Sequence, residues 1–150
     1  MLFRSAMPEF IKGYRQTALQ SGEVITSIQL EGIGDPHDYR KVTKRYEDDI
    51  SAVCGAFRWR VESDRLVLSR VAYGGVAERP LRLMETESLL TSRALTPNLI
   101  EEAVEIARRE VSPLSDVRAS ARYRRHLVGV LLKDSLEAQL ASMSDGEISP

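Results

Sequence analysis

The sequence predicts an α+β fold in which a small antiparallel sheet is covered on one face by three C-terminal helices. Alternating strand-like patterns are confined to the first half of the chain, and helical periodicity is confined to the second half. Because the strands precede the helices instead of alternating with them, the order favours helices packed on one face of the sheet. A length of 150 residues, 43% of them hydrophobic, is enough for one compact domain.

The strands are predicted from alternation and from turn residues. A short strand is expected over residues 24–30, after the turn residues Ser21 and Gly22. Residues 50–73 are predicted to form an antiparallel hairpin that turns at residues 62–64. Its apolar phase changes between Ala56 and Phe57, which predicts a β-bulge or a change of covering layer. Cys54 lies in the apolar phase, which favours a buried, inert thiol over a reactive one.

The helices are predicted from caps and from spacing. Pro80 is expected to begin a helix that runs to about Leu90, and Thr96 followed by Pro97 is a cap and first-turn pair for a second. Ser115 or Asp116 is expected to cap the third. The apolar stripe of that helix repeats every four residues, at Val128, Leu132, Leu136 and Leu140. After Ser142 the chain is predicted to fray.

Composition excludes several classes of function. The 21 basic residues nearly cancel the 22 acidic ones, so no positive field is predicted that would attract nucleic acid or an anionic membrane. A single cysteine excludes an intrachain disulfide, an all-cysteine zinc site and an iron–sulfur cluster. Pro8 and Glu9 interrupt the apolar start, so neither a signal peptide nor a membrane span is predicted. We therefore expect a cytoplasmic protein.

The residues by themselves reveal no complete catalytic site. His37 and His126 have no metal-ligand spacing, so both are interpreted as structural or solvent-exposed. The pair Gly74 and Gly75 is interpreted as a turn at a strand end in preference to a phosphate-binding loop. Four arginines surround Tyr123, and they favour a solvated or internally paired helix face, with a surface for an acidic partner as the open alternative. These are Arg118, Arg122, Arg124 and Arg125.

The densest charge lies in the stretch KVTKRYEDDISAV, residues 41–53. Three basic residues (Lys41, Lys44 and Arg45) precede three acidic residues (Glu47, Asp48 and Asp49) at the entrance to a predicted strand. Acidic residues before a strand can accept backbone hydrogen bonds in a turn, and lysines mark exposed strand edges. Charge alone therefore favours an ordinary surface turn.

Four blocks of sequence resemble a known family. GYRQTALQSGEVITSIQL, KVTKRYEDDISAV, VAYGGVAERP and PLSDVRASARYRRHLVGVLL, in this order and spacing, resemble the end of the FAD-binding subunits of molybdenum hydroxylases, of the bacterial xanthine dehydrogenase type. The resemblance implies that residues 1–36 are the end of the FAD-binding domain. Residues 37–142 would be a CO dehydrogenase flavoprotein C-terminal-like domain, and residues 143–150 a flexible tail.

The resemblance also implies a role for the charged stretch. In these enzymes electrons pass from a molybdenum centre through iron–sulfur clusters to FAD and then to NAD. A lysine at the position of Lys41 contacts FAD, and the expected cofactor-binding set is completed by Arg45, Glu47, Asp48 and Asp49. Fixed charges near a flavin tune the stability of its reduced forms. This chain has Tyr46 where animal members carry an arginine, so their switching behaviour at this loop is not expected here.

The blocks that hold most of FAD in this family are not matched in this chain. We therefore expect FAD to bind only together with the upstream domain, with no metal bound by this chain and no catalysis by it alone. The implied partners are that upstream FAD-binding domain and the molybdenum and iron–sulfur subunits, and a homo-oligomer is possible. The alternative is a free-standing protein-interaction domain that uses the arginine-rich helix or the exposed first strand.

Overall fold

The computed structural model describes residues 4–29, 37–45 and 50–146. The chain divides into two compact units, Met1–Gly34 and Asp35–Pro150. Among the described residues, no helix combines the length and the apolar character needed to cross a membrane.

The first unit contains one helical turn and a small hairpin. Helix α1 spans Met7–Phe10, and strands β1 (Ile11–Gly13) and β2 (Gln16–Thr17) pair antiparallel. The strand predicted over 24–30 is wrong for its described part, because residues 24–29 have no regular structure. Val24 and Ile28 are 77% and 71% exposed. Their apolar pattern resembles a strand, but no strand in the described part of this unit pairs with the segment.

The second unit contains a four-stranded antiparallel sheet. Its strands are β3 (His37–Val42), β4 (Val53–Glu62), β5 (Arg65–Gly74) and β6 (Leu81–Arg82), in the order β3, β4, β5, β6. The predicted hairpin is confirmed, since β4 and β5 pair along their lengths. Ser63 and Asp64 join them with φ of 48° and 60°, and two successive positive φ angles define the tight hairpin turn that fits the twist of the strands.

Three helices follow the sheet: α2 (Met84–Leu90), α3 (Pro97–Glu110) and α4 (Ala121–Gly146). The predicted cap of α3 is confirmed, because the Leu99 N–H donates to Thr96 Oγ1 over 3.2 Å. Helix α2 begins at Met84 and not at Pro80, because Leu81–Arg82 pairs with β5 as an edge strand. Helix α4 begins after Ser120, whose Oγ accepts the Tyr123 N–H, and it extends to Gly146, past the predicted end near Ser142.

Aromatic residues connect the sheet to the last helix. The Phe57 ring stacks on Trp59 with 5.9 Å between centroids and meets Tyr73 edge-on at 5.6 Å. Trp59 Nε1 donates to Ser135 Oγ over 3.0 Å, and the Tyr73 hydroxyl donates to the Val128 carbonyl over 2.7 Å. Burial raises the pKa of Tyr73. The predicted class, a small antiparallel sheet covered on one face by three C-terminal helices, is confirmed.

The predicted phase of β4 is wrong. Val53, Phe57 and Trp59 all face the helices, so no bulge separates positions 56 and 57, and the register shift lies instead between Arg60 and Val61. The alternation is not visible in the sequence because Gly55, which also faces inward, has no apolar side chain. A Cβ at this position would lie 2.7 Å from the Phe57 ring. The small residues at positions 54 and 56 consequently point to the opposite face. Cys54 is half-buried there, which corrects the expectation of a buried thiol.

Candidate functional site

The face of the sheet that points away from the helices carries a patch of small side chains. Cross-strand partners in an antiparallel pair lie on the same face, so the register defines two rows across β3, β4 and β5. One row is Tyr39, Ala56 and Ala72, and the other is Lys41, Cys54 and Gly74. We call the four small residues of these rows the small-residue shelf: Cys54, Ala56, Ala72 and Gly74.

The shelf is partly exposed to solvent. Ala56 is exposed and the other three residues are half-buried. A Cβ at Gly74 would lie 2.7 Å from Cys54 Sγ, so the absence of a side chain there leaves room for the thiol. Tyr39 and Lys41, both exposed, border the shelf along β3. The result is an apolar surface with Lys41 at its β3 border and Arg82 beside Ala72 at the opposite end.

The structure describes two of the five predicted cofactor-binding residues. Lys41 lies on the border of the shelf, and Arg45 is exposed in the connection between β3 and β4, where its carbonyl accepts a hydrogen bond from the Thr43 hydroxyl. The other three, Glu47, Asp48 and Asp49, lie outside the described residues, as does Tyr46.

Cys54 of the shelf affects the ionisation of Tyr39 on its border. The neighbouring Cys54 raises the pKa of Tyr39 mainly because two anions would repel each other there, with smaller contributions from burial and from a hydrogen bond between the two side chains. Tyr39 is therefore a neutral phenol at physiological pH, and Lys41 supplies the charge on this part of the border.

The connection between β3 and β4 is held near both ends by residues that follow α3. Near its start, Lys44 Nζ donates to the Val117 carbonyl over 2.6 Å. At its end, the Arg124 guanidinium donates to the Ala52 carbonyl. No sequence pattern predicts either contact, because both join positions more than 70 residues apart and follow no local spacing.

The arginine cluster is largely paired within the chain. Arg124 is only 4% exposed, and its Nη2 donates to Asp116 Oδ1 over 2.6 Å. Arg118 forms an ion pair with the same carboxylate at 3.5 Å, and Arg125 donates to a carbonyl at the end of α3. The interpretation as internal pairing is confirmed for these three arginines. Arg122 is exposed and lines a shallow groove of about 310 Å³ with Ser120, Tyr123 and His126.

Both histidines are exposed, in agreement with their interpretation from the sequence. His37 begins β3 and His126 lies in α4. Within residues 4–29, 37–45 and 50–146, no group of three or more His, Cys, Asp or Glu side chains is arranged to hold a metal ion. Gly75 has a φ of +81° in the turn after β5, which supports its interpretation as a turn residue.

Residues 38–139 match the sequence model of the CO dehydrogenase flavoprotein C-terminal domain. The chain belongs to this family. The matched residues include all four strands of the sheet except His37, together with α2, α3 and most of α4. The resemblance to the end of the FAD-binding subunits of molybdenum hydroxylases is thereby confirmed.

Individual relatives support the same family assignment. The glyceraldehyde dehydrogenase medium chain of Sulfolobus acidocaldarius is 31% identical over 124 residues, which cover 82% of this chain and 44% of that protein. The xanthine dehydrogenase FAD-binding subunit of Escherichia coli is 25% identical, over 89% of this chain and 47% of the subunit. The chain thus spans less than half the length of either relative.

A solved structure shares the fold. The carbon monoxide dehydrogenase of Hydrogenophaga pseudoflava superposes with a TM-score of 0.79 and 26% identity, over 89% of this chain and 47% of the matched chain. The three proteins are named for different substrates, so family membership leaves the substrate open.

Proposed function

We propose that this chain forms the C-terminal part of the FAD subunit of a cytoplasmic molybdenum hydroxylase of the xanthine dehydrogenase type. It helps to enclose FAD, through which electrons pass from iron–sulfur clusters to NAD. It is incomplete for catalysis alone. Its partners are the upstream FAD-binding domain and the molybdenum and iron–sulfur subunits of the same enzyme. A net charge of −1 favours such protein partners over nucleic acid.

The open small-residue shelf beside Lys41 carries the proposal. The shelf and its border on β3 together cross two strand spacings, about 10 Å, which suits a planar ring system laid against the sheet. The FAD ring, when bound, supplies the one-electron and hydride chemistry. The donor set on this chain fits such a ring, because the shelf offers van der Waals contact and Lys41 offers a positive charge for a reduced, anionic flavin.

The charges that follow Lys41 complete the proposed site. Arg45 adds a second cation, and Glu47, Asp48 and Asp49 add three anions. Cations near the ring favour its reduced anionic form, whereas carboxylates oppose it. We assign to these residues the tuning of the flavin potential.

A flavin titration tests this function. FAD fluorescence is followed with the purified chain alone and with the chain mixed with a separately produced upstream FAD-binding domain of a xanthine dehydrogenase. We expect tighter FAD binding in the mixture than with either protein alone. Lys41→Ala is expected to weaken the binding in the mixture by about tenfold, because a charge-assisted contact is lost.

Lys133→Ala serves as the control. It also removes one positive charge, but from α4, where Lys133 pairs with Glu101 on the helix side of the sheet. Equal FAD affinity with and without the chain, or an equal loss in both variants, contradicts the proposed function.

The alternative is a free-standing protein-interaction domain that retains the fold. The exposed groove of Arg122, Tyr123 and His126 is the observation that favours it. Because Arg124 is buried, a substitution there does not report on this exposed surface. The pair Arg122→Ala and Tyr123→Ala is the appropriate test. It is expected to leave FAD binding in the mixture unchanged under the flavin function and to abolish partner capture under the alternative.

A further inference from the structure

A buried guanidinium joins three separate segments of the second unit. Arg124 Nη1 donates to the Ala52 carbonyl and, over 2.9 Å, to the Gly75 carbonyl. Its Nη2 donates to Asp116 Oδ1 over 2.6 Å. The three acceptors belong to the end of the connection between β3 and β4, the turn after β5, and the loop before α4. We call Arg124 and Asp116 the clamp.

The clamp requires an arginine. Its planar fork presents several N–H groups in fixed directions, whereas a lysine ammonium is a single point with mobile donors. Arg124 Nε is buried without a hydrogen-bond partner among the described residues, so the burial of this cation carries a cost. A hydrophobic side chain would avoid that cost but would not bind the two carbonyls. An arginine at position 124 is therefore explained better by its role in positioning these segments than by a contribution to the stability of the fold.

Asp116 is itself fixed by its own loop. Its Oδ1 accepts the backbone N–H groups of Arg118 over 2.8 Å and Ala119 over 3.1 Å. These two hydrogen bonds, followed by the contact from Arg124, lower the pKa of Asp116 to about 2. The carboxylate is therefore ionised and directed at Arg124 throughout the physiological pH range.

The same loop also contacts the start of the connection. Lys44 Nζ donates to the Val117 carbonyl one residue after Asp116, and the Ala52 N–H donates to the Val42 carbonyl over 2.8 Å. Both ends of the connection are thus held beside the last residues of β3, where Lys41 borders the shelf.

We propose that Arg124 and Asp116 are positioning residues that hold the Ala52 end of the connection between β3 and β4 and, through the hydrogen bond from Ala52 to Val42, hold the adjacent Lys41 in place for the flavin. The inference rests on the proposed function for its ligand, FAD. The clamp itself is a property of this chain and is measurable without flavin.

Hydrogen exchange on the full chain tests the clamp. In Arg124→Gln, the amides of Ala52, Arg118 and Ala119 are expected to exchange at least about tenfold faster, because their segments lose a charged anchor. Amides in the middle of β4 and β5 are expected to keep their rates. Arg125→Gln, the exposed neighbour on the same helix, is the control and is expected to change neither set. Unchanged exchange at the three amides, or equal acceleration over the whole unit, overturns the clamp.

FAD titration in the mixture with the upstream domain tests the positioning. Arg124→Gln is expected to weaken FAD binding by about tenfold. The double variant with Lys41→Ala is expected to bind no more weakly than Lys41→Ala alone, because both changes remove the same contact. Additive losses indicate a merely structural role and overturn the positioning. If the wild-type mixture binds no FAD, the proposed function fails and the positioning for flavin fails with it, while the exchange rates still decide the clamp.

Discussion

Gly75 combines a backbone constraint with a steric one. Its φ is +81°, and a Cβ there would lie 2.6 Å from the Ala52 carbonyl oxygen and 3.0 Å from Arg124 Nη1. We expect Gly75→Ala to destabilise the chain by about 3 kcal/mol, because the left-handed conformation and the clash both oppose a side chain. Denaturant unfolding measures the loss.

Gly22→Ala provides a matched comparison for this prediction. Gly22 has a similar φ of +85°, but a Cβ at this position would have no atom of the described residues within 4 Å. Its substitution is expected to cost about 1 kcal/mol, from the conformation alone. Equal losses at both glycines would show that the close approach to Ala52 is unimportant.

The lowered pKa of Asp116 sets the pH range over which the clamp stabilises the fold. Because the folded state lowers this pKa from 3.8 to about 2, the ionised form stabilises the fold. This contribution is complete above pH 4 and is lost as the pH falls towards 2. The stability difference between the wild type and Asp116→Asn is therefore expected to stay constant from pH 8 to about pH 4 and to shrink below it. Unfolding curves at several pH values measure it, and a difference that changes between pH 5 and 8 contradicts the assignment.

At the scale of elements, a hydrogen bond between two side chains, Trp59 and Ser135, joins the sheet to α4. Trp59 is 3% exposed and its indole N–H has Ser135 Oγ as acceptor. Ser135→Ala leaves that buried donor unpaired, and we expect a loss of about 1–3 kcal/mol in the free energy of unfolding. Ser88→Ala, at an exposed position in α2, is the control and is expected to change stability by less than about 0.5 kcal/mol.

Elements with local signals were predictable, and elements defined by distant partners were not. The hairpin turn and the Thr96 cap depend on neighbouring residues, and both are confirmed. Strand β3 was not predicted because two of its helix-facing positions, Asp38 and Arg40, are charged and, among the described strands, it pairs with β4 alone. The two-residue strand β6 was predicted as the start of a helix, because its pairing with β5 likewise leaves no local pattern.

The residues of the candidate site also differ in whether the sequence could predict their positions. Lys41 was identified from its resemblance to a family motif, and the structure places it on an open border. The inward position of Arg124 had no signal in the sequence, because its acceptors at Ala52 and Gly75 are backbone carbonyls. Any residue presents a carbonyl, so residue types cannot reveal such a contact.

At the scale of the whole molecule, exposed apolar side chains in the first unit favour self-association. Val24, Ile25 and Ile28 are between 55% and 77% exposed. We expect sedimentation velocity to show a concentration-dependent oligomer, because clustered apolar surface is seldom left in water. The triple change to serine at these positions is expected to reduce it.

A matched variant separates this segment from general surface hydrophobicity. Leu114 and Met84 are 75% and 57% exposed in the second unit. Serine at both positions is expected to leave the oligomer unchanged. A monomer at all concentrations of the wild type would falsify the prediction.

The tight turn between β4 and β5 also has a consequence for how the chain reaches its native state. A hairpin with a two-residue turn needs no distant partner and can form within about 1–10 μs. The single tryptophan, Trp59, lies in this hairpin, but its acceptor Ser135 is 76 residues away along the chain. The final change in indole fluorescence during refolding therefore reports the arrival of α4 on a sheet that has already begun to form. The fluorescence of Trp59 can thus be used to follow the last step of assembly in a refolding experiment.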